Sequence, residues 1–195
     1  LVEQGRIAWV GHLEDAPAAA QGVLRLDLKG KVVVPGFVEP HMHLPPLAMM
    51  HDFSNIGPNR FETAAAALAQ LGEDARATPV GEWVVGRQFD PSLQQGPDYL
   101  TKDLLDSVST EHPVFVYNTS LHLGYCNSVA LELAGIDAST PDPQGAEIGR
   151  DAQGNPNGVL KAGPAMALVV RHNTKLKNGN ITEGCLSVLG QANAV

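Results

Sequence analysis

The chain predicts an α/β fold with a parallel core, and three observations carry that prediction. Val32, Val33 and Val34 form an uninterrupted β-branched run, the composition of a strand buried on both faces, as parallel sheets require. After residue 31, strand-like segments alternate with helix-like ones, which is the pattern of β-α units. Hydrophobic residues make up 44% of the 195, enough for one good-sized core or a core with an appendage.

Residues 1–10 read as two short strands around a Gln4-Gly5 turn, and residues 13–21 as loop or a short helix. Residues 23–28 (VLRLDL) alternate apolar and polar at period two and predict a strand. Lys29-Gly30 then turns the chain into the valine run. The first 30 residues are therefore a small antiparallel element, distinct in pattern from residues 31–195. Residues 44–59, with Pro45, Pro46, Gly57 and Pro58, read as a long functional or mobile loop. Residues 61–71 (FETAAAALAQL) are strong helix formers, with Gly72 as the expected stop. Strands are predicted over 82–89 and 113–119, a turn over 120–124, and short helices over 101–107 and 127–134. The turn-dense stretch 141–158 frames a β-ribbon of 147–150 and 159–161. Helices close the chain at 164–170 and 182–194. The abrupt ends, at Leu1 in a strand-like segment and at Val195 in a helix-like one, suggest a piece of a longer chain.

Charge excludes some function classes. Lys and Arg total 13 against 21 Asp and Glu, for a net charge of −8. That balance argues against a nucleic-acid partner and against an anionic membrane surface. There is no membrane-length apolar run and no signal-peptide pattern. Cys126 and Cys185 have no CxxC spacing and read as reduced thiols of a cytoplasmic protein, with a disulfide between them as the alternative.

The stretch that carries chemistry is KVVVPGFVEPHMHL, residues 31–44. Side chains alternate along a strand, so His41 and His43 project to one side at its carboxyl end. Two imidazoles held that way are donors for a divalent metal. The plainer alternative is an HxH that merely ends a strand.

These residues resemble a known family. PGF followed by HxH is similar to the first barrel strand of the metal-dependent amidohydrolase superfamily. WVVGRQFD at 83–90, PVFV at 113–116 with His122 and NSVALELAGI at 127–136, and TPDP at 140–143 leading to GVLK at 158–161, resemble the amidohydrolase-3 branch, which includes N-substituted formamide deformylases. The resemblance runs from about Gly5 to Lys161 and more weakly beyond. It implies part of a (β/α)8 TIM-type barrel over 31–195, an N-terminal share of a β-sandwich over 1–30, and a barrel-mouth insertion over about 80–160. It also implies metal-dependent hydrolysis of an amide- or formamide-like C–N bond through an activated water. The cofactor would be a divalent metal, zinc first, with one or two ions on His41 and His43. The substrate would be a small molecule, with a homo-oligomer left open. The remaining ligands and a proton-shuttling Asp would lie beyond residue 195, so these 195 residues alone are expected to be inactive.

Other candidates each have a structural alternative. Lys161 could bridge metals once carboxylated, which needs the neutral amine, or it could close the ribbon as a surface lysine. His122 could polarise a carbonyl in the pocket or cap the helix after it. Asp90 could line the pocket or simply start the turn at Pro91. Arg87 is expected to pair with an acid. The chain departs from the branch at Ala162, where an acidic residue usually follows GVLK. Two rival classes remain: a cupin-like metal protein, which also uses HxH on a strand, and a non-catalytic scaffold.

Overall fold

The structure, a computed structural model, describes residues 1–38, 40 and 42–193. The chain divides into two compact units, Leu1–His41 and Met42–Val195. In the first, β1 (Val2–Glu3) pairs antiparallel with β2 (Arg6–Ile7). Gln4 and Gly5 between them have φ of 47° and 74°, as a tight hairpin turn demands. Single 3-10 turns come next, at Leu13–Asp15 and Ala18–Ala20.

The segments 23–28 and 32–34 depart from expectation. Neither forms a strand, although the turn at Lys29-Gly30 is present, with Lys31 N bonded to the Leu28 carbonyl. Leu24 is 97% and Val32 85% exposed. Strand propensity reflects packing against cross-strand neighbours and a covered face. No described strand pairs with either segment, so alternation and β-branching have nothing to act on.

The second unit begins with α1 (Leu44–Met49), where a loop was expected. Its prolines fall in the first turn, where an amide would have no partner, so they start the helix rather than break it. β3 (Ser54–Asn55) is next. α2 (Ala64–Ala77) is capped by Thr63, whose Oγ1 accepts from the Ala66 amide at 3.1 Å. It continues past Gly72 because Ala64, Ala67, Leu71 and Ala75 make one buried stripe at helical spacing. Then come β4 (Val84–Phe89), α3 (Lys102–Asp106), β5 (Val114–Asn118), β6 (Leu123–Cys126), α4 (Ser128–Leu133), β7 (Glu147–Arg150), β8 (Pro156–Lys161), α5 (Gly163–Val170), α6 (Thr174–Asn178) and α7 (Ile181–Asn193).

The sheet order is β3-β4-β5-β6-β8-β7. β3, β4 and β5 are parallel, whereas β5/β6, β6/β8 and β8/β7 are antiparallel. The sheet is therefore mixed. β6 replaces the expected turn, because the chain reverses within Asn118–Leu121, where the Leu121 amide bonds the Asn118 carbonyl. Two cores cover the faces. Val84, Val114, Val116, Tyr125 and Val159 meet α2 and α3 on one face. Val85, Phe115, Cys126 and Leu160 meet Ala130, Leu131, Ala165 and Val169 of α4 and α5 on the other. A sheet sandwiched by helices rules out the all-β cupin alternative.

Candidate functional site

The strand directions bring the carboxyl ends of β3, β4, β5 and β8 and the amino end of β6 to one edge of the sheet. Asp90 lies one residue past β4, His122 one residue before β6, and Lys161 is the last residue of β8. Three of the sequence-predicted residues thus share one edge. The backbone is unusual there. Among described residues after 42, the non-glycine positions with positive φ are Gln88, Leu121 and Ala162, at 68°, 59° and 68°. Each lies within two residues of a predicted site residue. Such conformations cost about 1–3 kcal/mol each and cluster at functional positions.

The three side chains have different surroundings. The Asp90 carboxylate accepts from the Ser92 amide at 3.0 Å and the Ser92 hydroxyl at 2.6 Å through Oδ1. The Asp90 amide donates to Gln94 Oε1 at 2.9 Å. Asp90 therefore does build the turn. His122 is exposed; its amide donates to Ser120 Oγ and its carbonyl accepts from the Ala162 amide. Lys161 Nζ lies 2.7 Å from Glu147 Oε1, across the β7/β8 ladder. The hydrogen bond to Glu147 raises the Lys161 pKa; partial desolvation works against it, and the Coulomb attraction of the same carboxylate adds to the rise. The pair holds Lys161 as an ammonium, the form that does not react with carbon dioxide.

Arg87 is the correction among the polar residues. It was expected to pair with an acid, but no described carboxylate forms an ion pair with it. Its Nε donates to the Phe53 carbonyl at 3.2 Å instead. Burial lowers its pKa, and nearby Arg60 lowers it further. Arg87 follows Val85 by two residues on β4, and so faces the same side as Phe53 and Tyr117, which stack with centroids 6.3 Å apart. Burial pushes the Tyr117 hydroxyl up to about 12, so it stays a neutral donor. Sequence alternation places Tyr117 on one face with Phe115. Only the strand order shows that Arg87 shares that face on the adjacent strand.

His43 is exposed and stands at the N-cap of α1, its carbonyl accepting from the Leu47 amide at 3.1 Å. His41 lies outside the described residues. Among the described residues no three His, Cys, Asp or Glu side chains gather as a metal cage. The fit to a divalent metal therefore rests on the donor chemistry of the HxH imidazoles. An open groove of about 960 Å³ lies beside Glu82 and Trp83, the residues leading into β4, and is lined also by His172 and Lys175. It is at the amino end of β4 and contains none of the predicted site residues. In parallel α/β sheets ligands sit beyond the carboxyl ends, so the strained edge is the better candidate. No described helix is long and apolar enough to cross a membrane.

Comparison with known proteins gives a consistent picture. The amidohydrolase family pattern matches residues 26–183. N-substituted formamide deformylase of Arthrobacter pascens is 40% identical over 161 residues, covering 82% of this chain and 30% of that protein. The exoenzymes regulatory protein AepA of Pectobacterium carotovorum is 36% identical over 166 residues, covering 82% of this chain and 36% of the relative. The chain thus spans about a third of the length of these relatives. Among solved structures, an uncharacterized metal-dependent hydrolase of Pyrococcus horikoshii aligns over 81% of this chain and 28% of its own, at 19% identity and a TM-score of 0.46.

Proposed function

This chain belongs to the amidohydrolase family, and from that premise we propose that it supplies part of a metal-dependent hydrolase that cleaves an amide- or formamide-like C–N bond of a small molecule. His41 and His43 are the ligands this stretch contributes to a divalent metal, with zinc the first choice for imidazole donors. A metal held there would polarise the scissile carbonyl and make water nucleophilic near neutral pH. The chain's own residues do the rest within this stretch. His122, at the rim beside strained Leu121, would donate a hydrogen bond to a substrate oxygen. Asp90 shapes the turn beside it. Lys161 joins the metal ligands only if its ammonium loses a proton and takes up carbon dioxide, which the Glu147 pair opposes. A (β/α)8 barrel completed by the remainder of such a protein is the architecture that goes with this reading.

The observation that carries the proposal is the one edge: Asp90 just past the carboxyl end of β4, His122 just before the amino end of β6 and Lys161 at the carboxyl end of β8, each within two residues of a strained position. The test is made on the full-length protein. Formanilide hydrolysis should be lost on chelation and return with zinc or another divalent ion. Hydrolysis that ignores chelation would defeat the proposal. A second reading, a scaffold without chemistry, is favoured by Ala162, which cannot ionise where the branch carries an acid. It predicts bound metal without turnover of any amide.

A further inference from the structure

We propose that Arg87, supported by Tyr117 and Arg60, is a carboxylate-holding subsite, so that the substrate carries a carboxylate besides the bond that is cleaved. The proposal rests on the amidohydrolase reading for its setting and names the substrate class of that site. A half-buried guanidinium with no carboxylate partner among the described residues is unusual, because buried charge is normally paired. Here a second cation is close by. Asn55 of β3 pairs with Arg87 of β4, and the Ile56 amide bonds the Arg87 carbonyl at 3.1 Å. The next turn places Gly57 against the Gln88 carbonyl and closes with the Arg60 amide on the Gly57 carbonyl at 3.0 Å. Arg60 is therefore tied to the stretch of β4 that carries Arg87. It too forms no ion pair with a described residue.

Geometry selects the ligand. With Nε committed to the Phe53 carbonyl, Arg87 has its two terminal nitrogens left, and their parallel N–H groups match the two oxygens of a planar carboxylate. Tyr117, on the same face of the neighbouring strand, has a hydroxyl with no partner among the described residues and one that is not sealed from solvent. It can give a third hydrogen bond. Arg60 adds positive potential at the solvent side. Arg87 precedes strained Gln88, which turns the chain toward Asp90, so the subsite adjoins the candidate edge.

The experiment measures binding and turnover separately on the full-length protein, with 4-formamidobenzoate and formanilide as probes that differ only in the carboxylate. The expected result is binding of 4-formamidobenzoate at least ten-fold tighter than formanilide. Arg87→Gln should erase that preference and Arg87→Lys should restore only part of it. Arg60→Gln, at an exposed position, should weaken 4-formamidobenzoate binding by a few-fold, so that its preference over formanilide shrinks without vanishing. Equal binding of the two probes overturns the inference, and so does an Arg87→Gln protein that keeps the preference. Inorganic phosphate competing better than acetate overturns the assignment to a carboxylate. A carboxylate preference without hydrolysis of either probe supports the subsite and defeats the amidohydrolase reading. Hydrolysis of both probes without preference does the reverse.

Discussion

The Ala162 amide donates to the His122 carbonyl at 2.8 Å. This bond ties the residue that precedes β6 to the one just past β8, one step beyond their last ladder pair, Leu123 with Lys161. It holds Ala162 at φ 68°, ψ 161°, a region open almost only to glycine. The edge is thereby fixed by backbone, independently of which side chains stand there.

Ala162→Gly should relieve that strain. The gain is offset in part by the greater freedom of glycine in the unfolded chain. The net expectation is a stabilisation of about 1 kcal/mol, read as a higher urea midpoint at unchanged slope. A lower midpoint would show that Ala162 is not strained.

Asn127 is a polar side chain held inside the second unit. It is fully buried, and its Oδ1 accepts from the Val114 and Ala130 amides, both at 3.0 Å. Its Nδ2 donates to the Ser109 and His112 carbonyls at 2.9 and 2.8 Å. One side chain thus joins β5, the loop before it and the start of α4. Asn127→Ala would strand four backbone groups, each costing about 1–3 kcal/mol if left dry. A loss of at least ~3 kcal/mol is expected in chemical denaturation. Asn127→Asp should be no better, because an oxygen would then face two carbonyls. A loss below ~1 kcal/mol in the alanine variant would mean that water replaces the amide.

Elements whose signal is local were legible in the sequence. The 147–150 and 159–161 ribbon, the α4 cap at Asn127 and the strands within 82–89 and 113–119 all appear, because turn residues, caps and buried runs act over a few residues. What failed depends on partners. The 32–34 valines look like a core strand but have no described strand beside them. The helix over Leu44–Met49 was hidden by prolines that look like breakers and are tolerated in a first turn. Glycine at 72 was outweighed by an alanine-leucine stripe that continues to Ala75. In the site, His122, Lys161 and Asp90 could be named from motifs, but their common edge comes from β6 and β8 running opposite to each other. Arg87 was misjudged because a sequence cannot show that a guanidinium has no acid to meet.

The Lys161–Glu147 pair gives a pH prediction of definite sign. A lysine whose pKa is raised in the fold contributes stability that is complete below its unfolded pKa, about 10.4. That contribution is lost as pH climbs through the higher folded value. Native protein should therefore exceed Glu147→Gln in stability at pH 8, and the two should converge at strongly alkaline pH. Both side chains are substantially exposed, 41% and 53%, so solvent screening keeps the difference under about 1 kcal/mol. Denaturation at pH 8 and again above pH 11 checks it. A difference that grows with alkalinity would contradict the assigned direction.

His43 allows metal binding to be separated from folding. It is exposed at the start of α1. Melting of His43→Ala in the full-length protein, compared with the native protein after both are stripped of metal, measures what the substitution itself costs the fold. The metal affinity of the variant should fall in any case. Loss of a group that merely orients a ligand already costs about 10–100-fold, so loss of a ligand should cost at least that. The His41→Ala, His43→Ala double variant should hold almost no metal after dialysis, by elemental analysis. Metal content equal to that of the native protein in the double variant, with an unchanged melting temperature, would remove both histidines from the site.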